Sequence, residues 1–84
     1  MERYQLLQTI YDISKIDPRP ETYPCRPREL ILRLMQDWSL IQQQLKILEE
    51  EGLIRTIQQD TLIIYLSPEG IQKLADLKET RLND

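Results

Sequence analysis

Asp37-Trp38-Ser39-Leu40-Ile41-Gln42-Gln43-Gln44-Leu45-Lys46-Ile47-Leu48-Glu49-Glu50-Glu51-Gly52-Leu53-Ile54 is the stretch on which the fold turns. Trp38, Ile41, Leu45 and Leu48 recur at three- and four-residue intervals, which makes one stripe of a helix apolar and leaves the rest polar. Asp37 offers its carboxylate as a cap, and Ser39 with Gln42 offers a second way to start the same helix. Gly52 is the stop, because a helix commonly ends on a residue in the left-handed region and glycine enters it without a Cβ penalty. From Leu53 the period changes. Residues 53–57 and 61–66 are apolar and β-branched, with Gln58-Gln59-Asp60 between them, and this predicts a hairpin with strands near 53–58 and 61–66. The break contains no glycine, so Asp60 is the residue expected in the left-handed conformation.

Upstream, Pro27 suits the first position of a short helix over 27–35, with Leu30, Ile31 and Leu34 on one face and Arg28, Glu29 and Arg33 away from it. Residues 17–27 hold four of the five prolines, so no helix crosses them and they read as a loop carrying the free thiol of Cys25. Before the loop, a helix near 2–15 carries Leu6, Ile10 and Ile13 as one stripe and Tyr4, Leu7 and Tyr11 as a second beside it. Together these cover about half the circumference, wider than the ~100° of a one-sided surface helix. Such width suits either a helix sunk in a small core or one that faces both a core and a partner. Downstream, Ser67 and Pro68 open a last helix near 68–80 with Ile71, Leu74 and Leu77 on its apolar side. The expected core includes Leu6, Ile10, Leu30, Leu34, Trp38, Ile41, Leu45, Leu48 and Leu74.

Eighty-four residues suffice for one domain, taken as 1–84. The chain has no histidine and one cysteine. That removes Cys/His zinc sites, Ser-His-Asp and Cys-His nucleophile pairs, a CxxC redox pair and an internal disulfide. No enzyme, metal or cofactor is expected. The longest apolar run is residues 62–66, against the ~20 a membrane span needs, and the polar start Met1-Glu2-Arg3-Tyr4-Gln5 lacks a signal-peptide core, so a cytoplasmic location is expected. Net charge is −3. Only residues 19–36 are basic, with Arg19, Arg26, Arg28 and Arg33 against Glu21 and Glu29.

The spacing Leu45-x-x-Leu48-x-x-x-Gly52-Leu53-Ile54, followed by Ser67-Pro68-Glu69-Gly70-Ile71, resembles the recognition-helix-to-wing junction of winged helix-turn-helix proteins such as the bacterial MarR, PadR and ArsR-type regulators. The resemblance covers about residues 28–74. It implies an α+β, mostly α fold: a three-helix core, a two-stranded β-hairpin wing and a C-terminal helix. It also implies a small DNA-binding regulator or accessory factor, with double-stranded DNA as partner. Leu40, Gln42, Gln43 and Lys46 would then face the major groove, and Arg28, Arg33 and Arg55 would contact phosphate. Glutamines suit adenine edges, a leucine suits the thymine methyl, and lysine suits phosphate or guanine. In the resembling regulators the positions of Leu40, Gln43 and Ile47 usually carry hydroxyl and basic residues. Here Leu40 and Ile47 are apolar, which points to the alternative, a winged-helix module that binds protein through these two. Pairing of two copies through Tyr4, Leu7, Tyr11, Leu74 and Leu77 is the third expectation.

Overall fold

In the computed structural model, which describes residues 3–82, α1 spans Arg3–Ser14, α2 Pro27–Leu34 and α3 Trp38–Glu50. Strands β1 (Ile54–Gln58) and β2 (Leu62–Leu66) form the hairpin, and α4 (Pro68–Leu82) closes the chain. A single 3₁₀ turn, Pro20–Thr22, interrupts the proline-rich loop. The order is that of a winged helix-turn-helix. Residue 2, the expected start of the first helix, lies outside the described residues.

Helix α1 is the post around which the rest is built, touching α2, α3, α4 and β2. Its two apolar stripes are explained by this position: Leu6, Leu7, Ile10 and Ile13 are all buried, while Tyr4 and Tyr11 lie half-buried at the core's edge. From α3 come Ile41, Leu45 and Leu48, and from the wing Leu53, Ile54, Ile64 and Leu66. Each such side chain contributes about 1.5–3 kcal/mol by leaving water. Leu34 and Trp38, expected inside, are half-buried and pack against the core from its rim.

Gly52 ends α3 at φ +76°, as its sequence position requires. The Leu53 N–H donates to the Leu48 carbonyl (3.0 Å) and the Gly52 N–H to the Glu49 carbonyl (3.0 Å), the paired bonds of a Schellman cap. Leu53 and Leu48 are thereby both turned into the core. Ser67 also performs its expected role: its Oγ accepts from the Gly70 N–H (3.0 Å) and donates to the Gly52 carbonyl (2.7 Å). The Ser67 N–H donates to the Leu53 carbonyl (3.1 Å). Gly70 has no room for a side chain, since a Cβ there would sit 2.1 Å from the Leu53 oxygen.

Three local expectations are corrected. Asp37 makes no side-chain cap; α3 starts on a backbone bond, Ile41 N–H to the Asp37 carbonyl (3.2 Å), and Ser39 lies inside the helix with its hydroxyl free for the surface. Asp60 is not left-handed. Among the described non-glycine residues only Met35 has positive φ (+55°), because α2 and α3 are joined by Met35-Gln36-Asp37 alone and the reversal is taken at the end of α2. The Glu29 carboxylate stands at the start of α2, accepting from the Arg26 N–H (3.1 Å) and from the Tyr23 hydroxyl (3.3 Å). Cys25, read as a loop thiol, is fully buried and forms an isolated antiparallel bridge to β2: its N–H donates to the Ile64 carbonyl (2.9 Å) and its carbonyl accepts the Ile64 N–H (2.8 Å) in return. Burial, with the Glu29 charge nearby, pushes the Cys25 thiol up to about 12.

Two outcomes follow from this packing. Gly70→Ala is expected to lower stability by roughly 2 kcal/mol, as overpacking does, despite the gain in helix propensity. Gly52→Ala meets no neighbour within 4 Å and is expected to cost only the left-handed backbone penalty, about 1 kcal/mol. Thermal denaturation separates them at about 4–8 °C per kcal/mol, and an unchanged melting point for Gly70→Ala would contradict the close approach. Cys25 is expected to resist a thiol reagent at pH 8 until the chain unfolds. Its folded-state proton affinity exceeds the unfolded one, so its contribution to stability is intact below the ordinary thiol range and is lost as pH rises toward about 12; an alkaline unfolding titration reads this.

Candidate functional site

The hairpin packs beside α3 and leaves an open groove of about 440 Å³ between them. Ser39, Gln42, Lys46 and Glu49 line it from the helix at three- and four-residue intervals, joined by Gln43 and, at the floor, Leu45. Thr56 of β1 and Leu62 of β2 line it from the wing. Register explains the wing's choice of residues. Thr56 pairs with Ile64 and Gln58 with Leu62, so these share one face of the two-stranded sheet, whereas Arg55 pairs with Tyr65 on the other. The wing is tied to the helix at mid-groove, where the Thr56 hydroxyl donates to Glu49 Oε2. A second tie holds the far end, where the Arg26 guanidinium donates to Thr61 Oγ1 (3.1 Å).

The expected base-facing residues divide. Gln42, Gln43 and Lys46 are exposed and come together in the groove. Leu40 does not line it. At 100° per residue Leu40 and Ile47 share the flank of α3 that turns away from the wing, where they are 44% and 36% exposed. The polar and apolar halves of the outer face are thus different surfaces.

The expected phosphate contacts divide too. Arg28 and Arg33 are exposed but stand about 140° apart on α2. Arg28 shares a stripe with exposed Leu32 and Met35, while Arg33 lies on the side of Glu29. Arg55 is exposed on the wing face opposite the groove, because strand residues alternate and Thr56 takes the inner face. Of the five residues expected to pair two copies, Leu7 and Leu74 are buried in the core of one copy and offer no surface. Tyr4 is engaged within the chain, under the Lys73 ammonium (5.2 Å to the ring) and hydrogen-bonded to Glu51 (3.4 Å). Tyr11 and Leu77 are half-buried.

Sequence reasoning passed over Ser39, Glu49, Thr56 and Leu62. A signal for the helical two existed, since 39, 42, 46 and 49 form one stripe with Gln42 and Lys46. None existed for Thr56 and Leu62, whose place depends on hairpin register. No helix among the described residues is long and apolar enough to cross a membrane.

Comparison with solved structures sets this geometry in context. The chain superposes on BpsR of Bordetella bronchiseptica, a structure described as giving a mechanism for regulation of DNA binding by 6-hydroxynicotinic acid, with TM-score 0.74 and 11% identity, over 96% of this chain and 53% of that one. A probable transcriptional regulator from Pseudomonas aeruginosa matches with TM-score 0.70 and 24% identity, over 94% of this chain and 56% of that. The transcriptional regulator BldR from Sulfolobus solfataricus matches with TM-score 0.72 and 24% identity, over 94% and 55%. This chain therefore spans about half the length of each. These neighbours are transcriptional regulators rather than enzymes, and what they share with this chain is the winged helix-turn-helix fold. No family model matches the sequence, and none of the curated proteins does.

Replacing Thr56 with Val keeps the strand's shape and removes its hydroxyl. The expected cost is about 1 kcal/mol, that of a partly screened bond to a charged acceptor. A denaturant titration checks it, and a loss near zero would mean that the tie between wing and helix is not formed in solution.

Proposed function

We propose that this chain is a winged-helix DNA-binding module of a transcriptional regulator, with α3 as the helix that enters the major groove. The observation that carries this reading is the convergence of Gln42, Gln43 and Lys46 on the groove that α3 forms with the wing. Glutamine amides present a donor and an acceptor together, the pair that matches adenine N7 and N6, and lysine supplies a cation for phosphate or guanine. Ser39 adds a hydroxyl on the first turn of the same stripe. The likeness of the fold to DNA-binding regulators supports the reading.

Charge sets the terms of binding. Arg28, Arg33 and Lys46 are the cations in the proposed contact set; Arg55 is left out because it stands on the far face of the wing. Three phosphate contacts at most give a log-log salt slope no steeper than about −2.7. Affinity for random duplex is therefore low, and tight binding needs two copies on half-sites about one helical turn apart. Tyr11 and Leu77 are the expected pairing residues that remain partly exposed, and pairing through them belongs to the same proposal.

The test is a titration at about 50 mM salt with random duplex and with the DNA flanking the chain's own gene. Lys46→Ala is expected to weaken both complexes by a similar factor. Gln43→Ala is expected to relax preference at one position by roughly 1–3 kcal/mol, and Arg55→Ala to change little. Absence of any complex would defeat the proposal.

A second reading rests on a different observation, the exposed pair Leu40 and Ile47 outside the groove. Two apolar side chains seven residues apart on one flank of a helix suit contact with protein. A Leu40→Asp, Ile47→Asp double variant that retains DNA affinity but loses self-association or a protein complex would establish it, and sedimentation of the free chain reports the first of these.

A further inference from the structure

We infer that Glu49 selects a base bearing an amino donor with no acceptor beside it, cytosine, at the base pair facing the last turn of α3. This rests on the DNA-binding reading above. Among the side chains lining the groove, Ser39, Gln42 and Gln43 can each donate and accept, Lys46 only donates, and Leu45 and Leu62 do neither. Thr56 has committed its proton to Glu49. Glu49 is the one lining side chain that carries negative charge and has no donor of its own.

Its position is held. One carboxylate oxygen takes the Thr56 hydroxyl, which ties the group to the wing, and among the described residues no lysine or arginine nitrogen lies within ion-pair distance of it. Lys46, three residues earlier on the same stripe, does not neutralise it. The groove therefore carries an anchored negative charge where a polyanion would enter. Phosphate is repelled by it, so the group lowers affinity for arbitrary DNA and recovers that loss only where a base supplies a donor.

The major-groove edges then decide which base. Guanine shows two acceptors, and thymine an acceptor and a methyl. Adenine shows its N6 donor beside the N7 acceptor, which faces a carboxylate unfavourably. Cytosine shows its N4 donor with no acceptor on the same edge. The carboxylate thus complements the glutamines: they accept adenine, and Glu49 demands cytosine about two helical turns further along α3.

The experiment is selection from a random duplex pool with the full chain, as wild type, Glu49→Gln and Thr56→Val. Glutamine keeps an oxygen for the Thr56 hydroxyl, so wing and helix stay tied while the charge and the acceptor-only character go. The wild type is expected to enrich cytosine at one position by about 5- to 150-fold, the range of a good base contact. Glu49→Gln is expected to keep the rest of the motif, lose that preference and bind random duplex more tightly. Thr56→Val leaves the charge but frees the carboxylate, so the preference weakens while affinity for random duplex stays as in the wild type. A motif unchanged in Glu49→Gln would overturn this inference alone and leave Glu49 as a structural tie between helix and wing. A wild type that enriches no sequence would overturn the DNA-binding reading and this inference with it.

Discussion

The close approach of the first turn of α4 to the backbone of Gly52 and Leu53 is the constraint on which the rest of this structure depends. Two consecutive carbonyls, freed where α3 ends, are both satisfied by Ser67: one by its hydroxyl, the other by its N–H. The same hydroxyl oxygen accepts the Gly70 N–H, so one buried side chain serves the end of one helix and the start of another. Gly70 lets the backbones meet because it has no Cβ to strike the Leu53 oxygen. The end of α3, both ends of the hairpin and the start of α4 are joined at this point. A buried carbonyl without a partner costs more than a hydrogen bond usually contributes, so the arrangement resists local opening.

From that junction the wing leaves α3 at a set angle, and the groove between them is a consequence of the angle. Further ties hold the hairpin along its length: Thr56 to Glu49 on the groove side, the Cys25 backbone along the outer edge of β2, and Arg26 to Thr61 near the tip. The exposed side chains of the groove therefore stand on a frame of helix and strand rather than on a loop, which is what base recognition needs. Few cations surround it. Under the proposed DNA-binding reading, so small an attraction for phosphate would leave discrimination to the base edges.

Much of this was legible in the residues. Gly52 followed by Leu53-Ile54 announced the end of α3 and the start of the wing, and Ser67-Pro68 announced α4, because caps and periods are properties of a few consecutive residues. Gln42, Gln43 and Lys46 could be placed on the outer side of α3 from spacing alone. Asp37, Asp60 and Met35 show the limit. Capping and left-handed propensities favoured the two aspartates, yet the backbone reverses at Met35, since the short path between two packed helices outweighs a residue preference of about 1 kcal/mol.

Local order was thus determined by the sequence: which stretches form the helices and the strands, which side of each is apolar, and that the chain holds no histidine and a single cysteine. Tertiary structure alone decided what each apolar side meets. The second stripe of α1 could have faced a partner, and Leu7 is instead enclosed by its own chain. Cys25 could have been a loop thiol, and a bridge to Ile64 buries it. Arg55 and Thr56 are neighbours in the chain, and hairpin register sends one away from the groove and the other into it. Periodicity fixes directions relative to an element's own axis; only packing between elements fixes those axes relative to one another, and a binding groove is made of that second relation.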